Sequence, residues 1–186
     1  MLGYIFTNPF RTKKLTKQEK QSIPYNGNEV LVFKSNKSEI DTIRITEITV
    51  REHPPNLGDM FWAKSKEILR VQSDKDCENC DEIITVAKQN YTSEIRVSFD
   101  LILNEKRYYH GTDLKTLMKL KPKKLKISGM ELNDVVRIDR KSKKSHSGHI
   151  DRIYWSKSKG IVRIEINSDY HWELINGFKN ATQQWL

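Results

Sequence analysis

The chain has only two cysteines, Cys77 and Cys80, and their CxxC spacing suits three kinds of chemistry. As a redox pair they are poorly placed. Asp74, Asp76, Glu78, Asp81 and Glu82 surround them, and neighbouring carboxylates raise thiol pKa values and disfavour the thiolate nucleophile. As half of a zinc site they need two more ligands, which His146 and His149 of "HSGH" would supply from a second loop, although the separation of the two pairs is not that of a zinc finger. As a disulfide closing a short loop they fit an oxidising compartment, and as two thiols a reducing one. Compartment therefore decides between the last two readings.

His53, His110 and His171 are scattered through strand-like segments and breaks, where a lone histidine is read as a packed or hydrogen-bonded residue. No glycine-rich phosphate loop, HExxH or GxSxG occurs. No residue is nominated as catalytic, and the reading leans towards a protein that is not an enzyme.

Charge points to anionic partners. The chain of 186 residues carries a net charge of +9 and a pI near 9.4, which favours encounters with nucleic acid, acidic glycans or lipid headgroups. Charged residues make up 31% of the chain with both signs interspersed, so many of the lysines are accounted for as a solvated surface. The densest basic stretch is "RKSKKSHSGH". Its Arg140, Lys141, Lys143 and Lys144, together with Lys121, Lys123 and Lys124, form a candidate basic patch for nucleic acid.

"RIYWSKSKGIVRIE", from Arg152 to Glu165, also interleaves aromatic and basic residues, but one hairpin register accounts for them. If Trp155 faces Val162, then Ile153 faces Ile164, Tyr154 faces Arg163 and Arg152 faces Glu165. Opposed apolar or oppositely charged pairs each contribute about 0.2–1 kcal/mol, and an arginine over a tyrosine ring adds a cation–π term. Only Lys157 and Lys159 remain, in the turn. An RNA-binding sheet needs its aromatics on one face, and alternation separates Tyr154 from Trp155.

The elements that must position these residues are mainly β. "LTKQEK" offers a capping box, Thr16 with Glu19, for a short helix, and "PYNGNE" is a turn. "EVLVF" and "IDTIRITEITV" follow as strands. In the second, Ile43 and Ile45 share one parity, Ile48 and Val50 the other, so keeping all four inside requires a β-bulge near Thr46-Glu47. "HPPNLGDMF" breaks the ladder, and residues 62–82 suit either a helix or an edge strand. "EIITVAKQ" and "SEIRVSFDLIL" are strands, the latter with Arg96, Ser98 and Asp100 on its wet face. "TDLKTLMKL" is a helix capped by Thr112 or Asp113. "KKLKISG", "DVVRID", the hairpin and "YHWEL" complete an antiparallel meander of about eight or nine strands, expected to form a curved sheet or open barrel with one or two short helices. The division is an entry segment at 1–28, one β-rich domain at 29–176 and a tail at 177–186.

The segment "IPYNGNEVLVFKSNKSEIDTIRI", with Tyr25, Gly27, Phe33, Ser35, Glu39, Asp41, Thr42 and Ile43, is similar to the opening of many small predicted lipoproteins and secreted proteins of Bacteroidetes bacteria. "IYWSKSKGIVRIE" followed by Trp172-Glu173-Leu174 resembles their close. The two segments cover roughly a quarter of the chain. The group has no assigned activity and so brings no catalytic residues. The resemblance implies a β-rich domain at the cell envelope or outside the cell. The leading expectation is a non-enzymatic protein there that binds an envelope partner or an anionic ligand, with a cytoplasmic nucleic-acid-binding domain as the alternative.

No apolar run is long enough to cross a bilayer, and "MLGYIFTNPF" lacks the charge and length of a secretory signal. The expectation is therefore a cytoplasmic protein or one from which a signal has been removed. No cofactor is expected apart from the zinc alternative.

Overall fold

A computed structural model of the chain describes residues 12–54, 65–75, 82–89, 94–141 and 148–177. Among them, strands β1 (Val30–Ser35), β2 (Ile40–His53), β3 (Lys66–Ser73), β4 (Glu82–Lys88), β5 (Ile95–Leu103) and β6 (Lys106–Asp113) form one meander. A second comprises β7 (Lys123–Ile127), β8 (Met130–Asp139), β9 (Arg152–Ser156), β10 (Gly160–Asn167) and β11 (Tyr170–Gly177). Helix α1 (Lys17–Lys20) precedes the first meander and α2 (Leu114–Lys119) joins the two. Pairing of β1 with β11 merges them into one antiparallel sheet of eleven strands, ordered β6-β5-β4-β3-β2-β1-β11-β10-β9-β8-β7. It is an open sheet, with β6 and β7 at its edges.

The strand number exceeds the eight or nine expected because two further segments join the sheet. Residues 66–73, which suited a helix or an edge strand, form β3 in the sheet interior between β2 and β4, with Ile68, Leu69 and Val71 buried. "KRYYHGTD" forms β6 and turns Tyr108, His110 and Thr112 inward.

Seven strand spacings separate β5 from β9, about 34 Å in a flat sheet. Phe99 of β5 nevertheless packs its ring 5.6 Å from that of Trp155 on β9. The sheet therefore folds over and brings the inner faces of its halves together around Phe33, Phe99, Trp155 and Trp172, all fully buried.

Strand β2 is where the fold turns. Its first residues, Ile40–Arg44, pair with β1, and the rest, from Ile45, with β3. The expected bulge is present: Ile45 pairs with Ser73 and Glu47 with Gln72, leaving Thr46 extra. Its reason differs from the expected one. Ile43 and Ile45 are buried, but Ile48 is only half-buried and Val50 is 41% exposed. The extra residue bends the strand rather than sinking all four side chains.

Two clips hold the folded sheet shut. At one end Glu39, beside the β1–β2 turn, accepts hydrogen bonds from Ser35 Oγ at 2.8 Å, Tyr170 Oη at 2.7 Å and Asn104 Nδ2 at 2.9 Å. Next to it Asp41 accepts from the Asn104 N–H at 2.7 Å and from Lys75 Nζ at 2.5 Å. Tyr170, Ser35 and Asn104 hold the Glu39 carboxyl below its usual range. The second clip covers the β6 edge. The Tyr109 N–H donates to the Gly148 carbonyl at 2.8 Å, and the Ile150 N–H to the Tyr109 carbonyl at 2.9 Å.

The entry segment belongs to the core through Leu15, Ile23 and Tyr25. Its helix α1 carries the expected capping box: Thr16 Oγ accepts from the Glu19 N–H, and Glu19 accepts from the Thr16 N–H. Tyr25 stands edge-on to Trp155, and its hydroxyl accepts the Ile161 N–H at 2.9 Å. This contact requires Gly160, which has φ +76° and whose missing Cβ would collide with the Tyr25 hydroxyl.

Candidate functional site

Cys77, Cys80, His146, Lys143 and Lys144 lie outside the described residues, as do residues 178–186 of the expected tail. His149 is described. Its ring stands 6.1 Å from that of Tyr109, over the β6 edge. Among the described residues no group of three or more His, Cys, Asp or Glu side chains is arranged to hold a metal ion.

The described members of the basic patch all lie away from the turn of the β7–β8 hairpin, but at different heights along it. Lys123 pairs with Val135 and Ile127 with Met130, so Lys123 and Lys124 start β7 beside the middle of β8, Lys121 lies just before them, and Arg140 and Lys141 follow the far end of β8. Carboxylates answer several of these charges: Lys124 pairs with Glu131, Arg140 with Asp151 at 3.0 Å, and Lys141 with Asp113 at 3.1 Å.

The β9–β10 hairpin has most of the expected register. Arg152 pairs with Glu165, Ile153 with Ile164 and Tyr154 with Arg163. Trp155 pairs with Ile161 rather than Val162, because a bulge at Val162 follows the tight approach of Gly160 to Tyr25. On the outer face the charges form a ladder. Arg152 joins Asp139 at 3.2 Å to Glu165 at 2.9 Å, and Arg163 joins Glu165 at 2.8 Å to Glu173 at 2.9 Å. Tyr154 Oη donates to Glu165 at 3.1 Å, and the Arg163 guanidinium lies 5.4 Å from the Tyr154 ring centre. Burial pushes the Glu165 carboxyl up, but hydrogen bonds from Arg152 and Tyr154 and the charge of Arg163 outweigh it and hold the group below its usual range. This face has consumed its own charges.

A different arrangement occurs on the outer face of β5 and β6. Their register sets Arg96 opposite Asp113, Ser98 opposite Gly111 and Asp100 opposite Tyr109. With no side chain at Gly111, the row on β6 has a gap, and the Arg96 side chain leans diagonally into it. A Cβ on Gly111 would stand 2.9 Å from Arg96 Nη2. Arg96 Nη2 donates to Tyr109 Oη at 3.0 Å. Around the gap Gln89, Glu94, Arg96, Gly111, Asp113 and Lys141 line a cleft of about 450 Å³.

Asp113 is already engaged. It is the N-cap of α2, accepting from the Thr116 N–H at 2.6 Å and Thr116 Oγ1 at 2.7 Å. The Thr116 hydroxyl, followed by its N–H and Lys141, brings the carboxyl down to about 2 despite partial burial. Arg96 is less committed. A guanidinium carries five N–H donors in a planar fork matched to carboxylate and phosphate, and among the described residues the Tyr109 hydroxyl is the one side-chain partner seen for it.

The sequence reading placed Arg96 on a wet strand face and did not single it out. The available signal was Gly111, because a glycine inside a strand marks a bulge or a place where another group approaches closely. Reading it required the cross-strand register.

No protein-family model, curated protein or solved structure matches this chain.

Proposed function

We propose that the chain is a non-enzymatic binding protein that takes a small anionic ligand, bearing a carboxylate or phosphate, in the Arg96 cleft. The observation that carries this reading is the under-used guanidinium of Arg96, exposed at the wall of a cleft that Gly111 opens. Lys141, paired with Asp113, lines the same cleft, and the net charge of +9 draws anions towards the molecule. Following the resemblance of its opening and closing segments, we place the protein at the cell envelope or outside the cell.

Calorimetric titration with inorganic phosphate and with simple mono- and dicarboxylates tests the site. Arg96→Gln is expected to weaken the best of these probes by about tenfold, the value of one charge-assisted hydrogen-bond pair. Unchanged affinity in that variant refutes the site. Fractionation of cells expressing the native gene tests location; recovery in the cytosol alone refutes the envelope assignment.

A cytoplasmic nucleic-acid-binding domain is the second reading. It rests on the net charge and on Lys121, Lys123, Lys124, Arg140 and Lys141, which all lie on the side of the β7–β8 hairpin away from its turn. It requires a steep fall of random-oligonucleotide affinity with salt, and absence of binding at low salt eliminates it.

A further inference from the structure

A second depression, of about 340 Å³, lies where α1, α2 and the β9–β10 turn meet, at the lower end of the usual range for small-molecule sites, about 300–1,000 Å³. Its apolar part is made by Trp155, Leu117 and Met118. Trp155 is 2% exposed and fixed edge-on by Tyr25 and Phe99, so the floor is rigid. Leu117 is buried, whereas Met118 is 38% exposed, one of three large apolar side chains open to solvent among the described residues. Ile40 and Val50, the other two, do not line this hollow.

The rim is polar. Gln18 and Gln21 come from α1 and its C-cap, and Lys157 from the turn. The hairpin register gives Lys157 no cross-strand carboxylate. Asp134, the acid nearest in the turn's hydrogen bonding, is taken by Ser156 Oγ at 2.8 Å and the Ser158 N–H at 2.7 Å. The Lys157 backbone N–H donates to the Asp134 carbonyl at 3.2 Å, but among the described residues its ammonium has no ion-pair partner.

An unmatched cation beside a preformed apolar floor selects an amphipathic anion. We infer that this hollow is a second binding site, for a small organic carboxylate whose apolar body lies against Met118, above the buried Trp155, while its head pairs with Lys157. Water leaves the Met118 surface on binding, and the ion pair forms at the rim, where the lysine keeps part of its hydration. Gln18 and Gln21 supply amide donors for the second carboxylate oxygen. This site is separate from the Arg96 cleft and does not depend on it.

The test titrates the full chain, labelled with ¹³C at the methionine methyls, with decanoate, and decanol and decylammonium as controls. Decanoate is expected to shift the Met118 methyl saturably while leaving Met130 in place. Lys157→Glu and Met118→Glu, both changes at exposed side chains, are expected to weaken binding by about tenfold or more. Decanol should bind more weakly by a similar factor, and decylammonium should not saturate. Arg96→Gln should leave decanoate affinity unchanged, which separates this site from the other. A Met118 methyl that does not move, affinity unchanged in Lys157→Glu, or decylammonium binding as tightly as decanoate overturns the inference.

Discussion

Arg152 and Arg163 on the β9–β10 face, and Arg96 on the β5–β6 face, are all strand arginines beside a tyrosine, yet their surroundings differ. Each arginine of the ladder spans two carboxylates, Asp139 and Glu165 for the first and Glu165 and Glu173 for the second. Arg96 meets a tyrosine hydroxyl next to a glycine gap. The aromatic-basic composition that first draws attention to "RIYWSKSKGIVRIE" is therefore a poor guide to binding. What matters is how much of an arginine's charge is already answered. Each ladder arginine meets two carboxylates, although Arg163 Nε is buried without a partner, whereas Arg96 beside the cleft has no ion pair among the described residues.

The contrast is broken most severely at the hairpin's glycine. Gly160→Ala adds a Cβ where the Tyr25 hydroxyl already sits, at φ +76°, and is expected to cost about 3 kcal/mol or more from clash and left-handed strain together. Gly129→Ala, at φ +83° with nothing within 4 Å, should cost only the strain, about 1–2 kcal/mol. Urea denaturation of both variants checks the pair, and equal losses would show that the Tyr25 contact contributes nothing.

Removing the hub of the ladder comes next. Glu165 is 8% exposed, and Glu165→Ala leaves Arg152, Arg163 and Tyr154 without their shared acceptor. The expected loss is about 2–3 kcal/mol, below the range for a fully buried pair because Arg152 is half-exposed. A loss under 0.5 kcal/mol in the same denaturation measurement would mean that the ladder is ornamental.

His110, on the inner face of β6, offers a smaller, pH-dependent effect. It is 2% exposed; its Nδ1 lies 3.0 Å from the Ile150 carbonyl, while Nε2 is buried without a partner. Burial, with Arg140 and His149 nearby, lowers its pKa from the ordinary 6.5, although the Ile150 carbonyl and Asp139 act the other way. The unfolded chain then binds more protons than the folded one at pH values just below 6.5, so stability falls as pH falls through that range. Melting temperatures from pH 7.5 to 5 should show this slope, and His110→Phe should flatten it; an identical slope in the variant would remove His110 from the account.

The smallest effect on stability is expected at Arg96. Arg96→Gln loses one exposed hydrogen bond and should change stability by no more than about 0.5 kcal/mol, even as it lowers the affinity for the proposed anionic ligand about tenfold. A large destabilisation would place Arg96 with the ladder arginines after all.

Much of the scaffold was legible in local pattern. The capping box of α1 and three of the four proposed cross-strand pairs in the hairpin follow from parity and short-range spacing, which the chain carries in adjacent residues; the bulge at Thr46 is where parity placed it, but without the burial of Ile48 and Val50 that parity assumed. Strand β3 was ambiguous because "KEILRVQS" has the consecutive apolar residues of a strand buried between two neighbours, a pattern shared with a helix. Trp155 was assigned to Val162 because nothing local announces that Tyr25, far away in sequence, presses its hydroxyl onto Gly160 and forces the bulge. The residues of the opening motif have structural work too: Tyr25 seats the hairpin, Phe33 fills the core, and Ser35, Glu39 and Asp41 build the clip to Asn104 and Tyr170.

By itself the sequence determined the β-rich class, the strand faces and the pairing of neighbours in the hairpins, because side-chain alternation and turn chemistry act over a few residues. Tertiary structure alone decided that β1 pairs with β11, that the sheet folds over onto Trp155, and that Arg96 leans into the space left by Gly111 while Lys157 overlooks an apolar hollow. Each of these depends on which strands become neighbours and how far the sheet bends, and long-range packing selects both.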